Sequence, residues 1–268
     1  MNPVTIVMSA SWIPSHPSTE IIEEAILRTR AYPELADAPV LVTLDGLHPQ
    51  YEPHRADYEE FIRRFCALCD TDARFSGVVP MVFDEHLHQA ASTRIAFERV
   101  TSPLVLYVEA DTFPMGPIDW PGIIRALDDP NVNMVRLSIF DRILPEHEHL
   151  YQDGLEPRDV AGVPLIRTTE YSTRPHLART EWYRGVAEQF IGRETRTYVE
   201  WILHQAMTNR IATGVDPWER WGVWLYMPRE DWNGILRSGT SNGRRGVPMT
   251  SDHVVYDGAT PDGAPAPR

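Results

Sequence analysis

The chain has 268 residues, 43% of them hydrophobic and 24% charged, with a formal net charge of −13. That size and composition suit one large α/β domain, and the acidic balance excludes the broad basic surface that nucleic acids or anionic membranes require. All 25 basic residues are arginine, so neither a pyridoxal-phosphate Schiff base nor a Walker-type phosphate loop, both of which need a lysine amine, is available.

The first segment, MNPVTIVMSASW, has neither the basic flank nor the apolar core of a signal peptide. No apolar run approaches the ~20 residues of a membrane span, and a cytoplasmic protein is expected. Val4 to Met8 reads as a strand followed by Ser9-Ala10-Ser11. Ser18 or Thr19 can cap a helix with Glu20, Glu23 and Glu24 early and Arg28 and Arg30 late, complementing the helix dipole. Ile21, Ile22, Ala25 and Ile26 supply its buried stripe. A second strand, Val40 to Leu44, ends at Asp45-Gly46, completing a βαβ unit with parallel strands.

A second helix is predicted over roughly Arg55 to Cys69, with Tyr58, Phe61, Ile62, Phe65, Cys66 and Cys69 on one face. The Cys66-x-x-Cys69 spacing admits two readings: core packing by small apolar side chains, or a redox pair or half a zinc site completed by His86 and His88. Phe75 to Phe83 is a strand that Pro80 makes short, bulged or marginal. A third helix, about Leu87 to Val100, leads into Leu104 to Val108, an uninterrupted apolar run that reads as a strand buried on both faces. It stops at Glu109-Ala110-Asp111, and acids at the C-terminal end of an interior strand sit where open α/β sheets place ligands. Hard divalent cations take such oxygen ligands together with substrate phosphates. A metal–diphosphate site is one reading; a solvated strand end is the other.

The second half is less regular. Asn133 to Phe140 reads as a strand ending at Asp141-Arg142, and Leu144 to Pro175 as loops with a hairpin around Val163 to Thr169. Helices are expected over Thr180 to Phe190 and about Glu194 to Asn209. The latter carries one stripe of Tyr198, Trp201, Ile202, Gln205 and Ala206 and another of Thr197, Glu200 and His204. Trp218, Trp221, Trp224 and Trp232 crowd the region of a strand at Val223 to Met227, as core filler or as a sugar-stacking platform. In SGTSNGRRG, glycines allow close backbone approach to a phosphate that Arg244 and Arg245 can pair with. Asp252-His253 follows, and residues 258–268 form a tail expected to be disordered. One domain over residues 1–257 is expected, with a nucleotide-sugar half to about residue 115 and an acceptor-facing half after it.

Three stretches, VTIVMSASWIP, VLVTLDG and HQAASTRIAFERVTSPLVLYVEADTFP, resemble the GT-A fold of nucleotide-sugar glycosyltransferases, loosely the family-2 type, over roughly residues 4 to 115. The resemblance implies a Rossmann-type mixed sheet, mostly parallel and flanked by helices, with Glu109 and Asp111 at the positions of that fold's D-x-D acids. It implies a UDP- or GDP-sugar donor held by Ser9, Ser11, Asp45, Arg94, Glu109, Arg244 and Arg245. It implies Mn²⁺ or Mg²⁺ on Asp111 with His253 completing the shell, and Glu200 as the base of an inverting transfer, with Asp141 and Glu194 as rivals. The acceptor is a small molecule, a glycan or a protein, and less readily DNA. A glutamate stands where that motif has its first aspartate, which leaves the division of metal binding between Glu109 and Asp111 open. The other function classes consistent with the sequence are a nucleotidyltransferase and a non-catalytic sugar- or partner-binding relative.

Overall fold

In the computed structural model of the chain, residues 2–10, 18–138 and 143–227 are described, together with strands 235–237 and 247–248. Ser11, Asp141, Trp232, Arg244, Arg245, His253 and the 258–268 tail, all named in the sequence reading, lie outside the described residues.

The amino-terminal half alternates strand and helix: β1 (Val4–Ala10), α1 (Glu20–Thr29), β2 (Val40–Leu44), α2 (Arg55–Thr71), β3 (Val78–Val82), α3 (His88–Arg99) and β4 (Leu104–Glu109). The four strands pair in parallel in the order β3-β2-β1-β4. Pro80 is accommodated because, among the described residues, β3 pairs only with β2, which leaves the proline's missing N–H without a ladder partner to disappoint. β1 runs two residues past the predicted Met8, since Ser9 and Ala10 continue in register with Thr43 and Leu44, and Ser9 also faces Glu109.

This order carries a physical consequence. From β1 the chain moves outward to β2 and β3, then returns to the other side of β1 to lay down β4. Right-handed crossovers in opposite directions put their helices on opposite faces. Accordingly Ile22 and Ile26 of α1 and Phe61 and Phe65 of α2 pack with Ile6, Met8, Leu106 and Val108 on one face. Ala96 and Phe97 of α3 pack with Val7, Val105 and Tyr107 on the other. β4 is therefore buried on both faces, as its continuous apolar run predicts.

The second half builds largely antiparallel pairings onto β4. β5 (Thr112–Pro114) folds straight back on β4, and α4 (Trp120–Ala126) and β6 (Met134–Leu137) follow. β7 (Arg158–Val160) and β8 (Val163–Arg167) form a hairpin whose two-residue loop, Ala161-Gly162, has positive φ at both positions (54° and 85°). That is the type I′ signature, and the turn matches strand twist although it lacks an Asn-Gly cue. β9 (His176–Arg179) inserts antiparallel between β4 and β6. After α5 (Thr180–Phe190), α6 (Val199–Ala212) and α7 (Trp218–Trp221), β10 (Val223–Tyr226) runs parallel to β6. β11 (Ile235–Arg237) and β12 (Val247–Pro248) extend the sheet from β5. The result is one mixed sheet flanked by helices. Its parallel character is confined to β3-β2-β1-β4 and the β6–β10 pair, so the expected "mostly parallel" sheet describes the first half better than the whole.

Two of the sequence's open choices resolve as packing. Trp218, Trp221 and Trp224 are buried, and the indoles of Trp218 and Trp224 donate to Thr168 O (2.9 Å) and Asn131 O (3.1 Å). They fill the core and are not a platform. Cys66 and Cys69 are free thiols, and Cys69 packs against the core beside α2's buried Phe61 and Phe65. Burial pushes the thiols of both cysteines up, Cys69 to about 11, which keeps both protonated at neutral pH. His86 and His88 are committed elsewhere, as described below, so the zinc and redox readings do not hold among the described residues.

A candidate active site at the switch point of the sheet

In an open α/β sheet the C-terminal ends of two adjacent strands whose crossovers diverge leave a crevice between the departing loops. Here that point lies between β1 and β4. A cavity of about 470 Å³ opens there, lined by Ser9 and Ala10 of β1, Asp45 after β2, and Glu109, Ala110 and Asp111 at the end of β4. The turn that carries the acids is held by Ala110 N–H donating to Ser9 O (2.9 Å) and by the Glu109–Thr112 pairing that starts β5. The acids thus sit on a backbone anchored from both sides. Asp111 also accepts from the Thr112 hydroxyl (3.1 Å).

Glu109 is tied inward. The Gln89 side-chain amide donates to its Oε1 (2.6 Å), while Gln89 Oε1 accepts from Val199 N–H (3.2 Å) at the first residue of α6. One side chain therefore joins β4, α3 and α6. Tyr198, at the N-cap of α6, makes no side-chain cap, and Gln89 supplies an acceptor for an orphan N–H there. Burial, then the charges of Asp111 and Glu200, push the Glu109 carboxyl up to about 8. The site gathers three carboxylates, with the positive charges of Arg136 and Arg174 on its Glu200 side.

Glu200 stands on the first turn of α6 and reaches the loop before β9. Thr173 N–H (3.1 Å) and Thr173 hydroxyl (2.9 Å) both donate to its Oε2, with Ser172 Oγ at 3.5 Å. Behind it Arg136 is buried, pairs with Glu170 and donates to the Tyr151 hydroxyl (2.9 Å). The structure therefore brings Glu200 into the same charge cluster as Glu109 and Asp111, across the gap between the sheet and α6. Exposed Glu194 belongs instead to an ion pair with Arg196 (3.7 Å).

Asp45 lies on the opposite wall, and its carboxylate is fully engaged. Oδ1 accepts from Gly46 N–H (3.0 Å) and Leu87 N–H (2.7 Å); Oδ2 accepts from His88 N–H (2.8 Å) and sits 2.9 Å from His86 Nδ1. A carboxylate offers about four lone-pair sites, so Asp45 organises the loop into α3 and contributes little free acceptor capacity to a ligand. His88 adopts a left-handed conformation (φ 64°), and burial lowers its imidazole pKa. Gly46 is required at its position, since a Cβ there would lie 2.3 Å from the Glu85 carbonyl carbon.

Arg94 is not part of this constellation. Its guanidinium donates to Ile191 O at the end of α5 and lies 3.5 Å from Glu98, on the far side of α3. The expectation that it contacts the donor is corrected by its position: at helical spacing from Gln89 and Ser92, which line the cavity, it faces another flank. Gln89, Thr173 and His48 are not singled out by the sequence, and His86, His88 and Tyr198, which the sequence suggests for a zinc site and a helix stripe, form with His48 the ring wall of this cavity. Gln89 lies in the stretch that leads into β4, but nothing local marks a glutamine as a bridge to residue 199.

The class of architecture is the GT-A fold, with the acids of Glu109-Ala110-Asp111 on the edge between its parallel and antiparallel parts. Among solved structures the chain is similar to S. aureus TarS 1-349 in complex with UDP-GlcNAc, with a TM-score of 0.51 and 9% identity over 91% of this chain and 60% of that one. Weaker likenesses are to a mannosyltransferase from Pyrobaculum calidifontis in complex with GDP-Man and Mn²⁺ (TM-score 0.49, 12% identity, 85% of this chain and 58% of that). GalNAc-T7 with UDP, GalNAc and Mn²⁺ gives a TM-score of 0.49 at 8% identity, over 96% of this chain and 46% of that one. The chain thus spans 46–60% of these proteins' length. No protein-family model and no curated relative matches the chain.

Proposed function

We propose that the chain is a glycosyltransferase that moves a sugar from a nucleoside-diphosphate sugar to an acceptor hydroxyl. The observation that carries this reading is the convergence of Glu109 and Asp111 on one cavity at the sheet's switch point, with Glu200 near enough for its charge to act on Glu109. A nucleotide-sized ligand fits a cavity of that volume, and the UDP-GlcNAc in the similar TarS structure is a donor of the class proposed.

The donor set suits a hard divalent ion. Among the described residues no three His, Cys, Asp or Glu side chains form a closed metal cage. A magnesium-type ion needs none, because it takes one or two carboxylates and completes its shell with phosphate oxygens and water. Asp111 would be the direct ligand, with Glu109 close enough to share the charge. Mn²⁺ or Mg²⁺ there would neutralise charge developing on the leaving diphosphate. His253, Arg244 and Arg245 lie outside the described residues and stay as proposals for the same pocket.

The chain's own groups then divide the work. Thr173 holds Glu200 through Oε2, leaving Oε1 to take the proton of the acceptor hydroxyl. The acceptor oxygen forms its bond to the sugar's anomeric carbon as the bond from that carbon to phosphate breaks. The electron pair departs with the nucleoside diphosphate. Attack opposite the leaving group inverts the anomeric centre.

Thermal stability with UDP or GDP, with and without Mn²⁺, tests the reading. A rise in melting temperature that requires both nucleotide and metal is expected, because binding to the native state alone adds RT ln(1 + [L]/Kd). No shift with either nucleotide would overturn it.

A further inference from the structure

Large aromatic side chains are seldom left in water, yet α6 opens with two of them. Trp201 is 61% exposed and Tyr198 38%, whereas Trp218, Trp221 and Trp224 are each under 5%. The pair is ordered against its neighbours: the Tyr198 and Trp201 rings lie 5.4 Å apart at 60°, and Tyr198 meets His88 at 4.6 Å and 85°. Tyr198 lines the cavity and Trp201 stands one helical step outward, beside Glu200 in sequence. The two rings thus form an apolar corner continuous with the site's mouth.

The chemistry around the corner selects an occupant. On its cavity side are the carboxylates of Glu109 and Asp111, with the charge of Glu200 acting on Glu109. In the segment leading into α6 the arginines are taken up by acids, Arg193 by Glu98 (3.0 Å) and Arg196 by Glu194 (3.7 Å). The arginines nearest Glu200 are also set against acids, Arg136 paired with Glu170 and Arg174 in the field of Glu170 and Glu200, so the carboxylates dominate and an anionic acceptor is disfavoured. A neutral polyhydroxylated ring fits: its C–H face can lie on an indole while its hydroxyls donate to carboxylates.

Resting on the transferase reading above, we infer that Trp201 and Tyr198 form the acceptor platform, and that the acceptor is a neutral saccharide whose ring stacks on Trp201. The sugar-stacking tryptophan is then not in the Trp218–Trp224 cluster that its sequence density suggests, but alone on the first turn of α6.

Saturation-transfer NMR tests this on the full chain with lactose, chitobiose and maltotriose as neutral probes and glycerol phosphate as the anionic one. Saturation of saccharide ring protons is expected, with apparent affinity about tenfold weaker in Trp201→Ala and within about threefold of wild type in Trp201→Phe. Fluorotryptophan labelling, with the Trp201 resonance identified by its loss in W201F, should show that signal moving with saccharide. No saturation of any saccharide, equal saturation in W201A, or a response to glycerol phosphate alone would overturn the inference. Movement of the Trp201 signal with protein concentration instead of saccharide would also overturn it, by assigning the corner to a second copy of the chain. Stabilisation of the unsubstituted protein by nucleotide and Mn²⁺ is measured separately. If it persists while the saccharide test fails, the acceptor inference falls and the transferase reading stands.

Discussion

Replacing Glu109 by glutamine probes the charge state on which the site depends. The amide keeps an oxygen to accept from Gln89 (2.6 Å in the native pair) but cannot ionise. In the folded protein the Glu109 carboxyl is pushed up from 4.5 to about 8. Between those values the folded state holds a proton that the unfolded chain has released, so stability falls as pH rises through the window. Below it the carboxyl is neutral in both states and costs nothing; above about 8 the full penalty of a buried carboxylate beside two others is present. At 1.36 kcal/mol per pH unit the ceiling is about 5 kcal/mol, and solvent at the carboxylate's partly exposed edge brings the expectation to about 3 kcal/mol. For a chain of this size that is about 6–12 °C in melting temperature. Thermal or urea unfolding of metal-free protein from about pH 5 to pH 9 is the assay. Wild type should lose stability relative to E109Q across that range, and Mn²⁺ with nucleotide should flatten the wild-type slope. Parallel curves for the two proteins without metal would refute the argument, because they would mean that Glu109 ionises as freely folded as unfolded.

Asp111→Ala should abolish metal-dependent hydrolysis of a nucleotide-sugar donor and the metal requirement for nucleotide stabilisation; retained turnover, read by release of nucleoside diphosphate, would place the metal elsewhere. Glu200→Gln should lower transfer by roughly 10²–10⁴-fold, the usual weight of a general base, while nucleotide-dependent stabilisation persists. An unchanged rate would move the base to another residue. Arg94→Ala should leave nucleotide binding intact yet lower stability by about 1–3 kcal/mol, since it strips a charged donor from the Ile191 carbonyl. Weakened nucleotide binding with undiminished stability would instead return Arg94 to the donor pocket.

How much of this was legible beforehand follows from the range of the interactions involved. Leu104 to Val108 announced a doubly buried strand because burial on both faces is written as a local apolar run, and β4 is such a strand. The other strands of the first half are also legible as short local apolar, β-branched runs, and their order brings Asp45 and Glu109-Ala110-Asp111 to one end of the sheet. α6 was placed about five residues early because Thr197 O is drawn away to accept from Ala90 N–H (3.0 Å), a contact more than a hundred positions distant in sequence. The same range hid Gln89, which bonds residues 109 and 199 at once. It also separated Arg94 from the site: helical periodicity says that Arg94 and Gln89 face differently, but not which of the two faces the cavity.

The tryptophans show the converse limit. Density in sequence pointed to Trp218, Trp221 and Trp224, but an indole whose N–H finds a buried carbonyl, as Trp218 and Trp224 do, is satisfied inside the protein. The stripe of Tyr198, Trp201, Ile202, Gln205 and Ala206 that the sequence suggests is not the buried face of α6, which is Val199, Leu203 and Met207; apolar residues are spread around this helix, so periodicity does not single out the face that packs. The docking of α6 on α3 through Gln89 and Ala90, together with the packing of Val199, Leu203 and Met207 against Tyr183 and Ala187 of α5, decides which side of that helix meets water. That docking sets Glu200 toward Thr173 and leaves Trp201 outside, at the lip. The separation of proton acceptor from stacking surface therefore follows from where one glutamine fixes the helix start, and loss of the Gln89–Val199 bond should disturb both together.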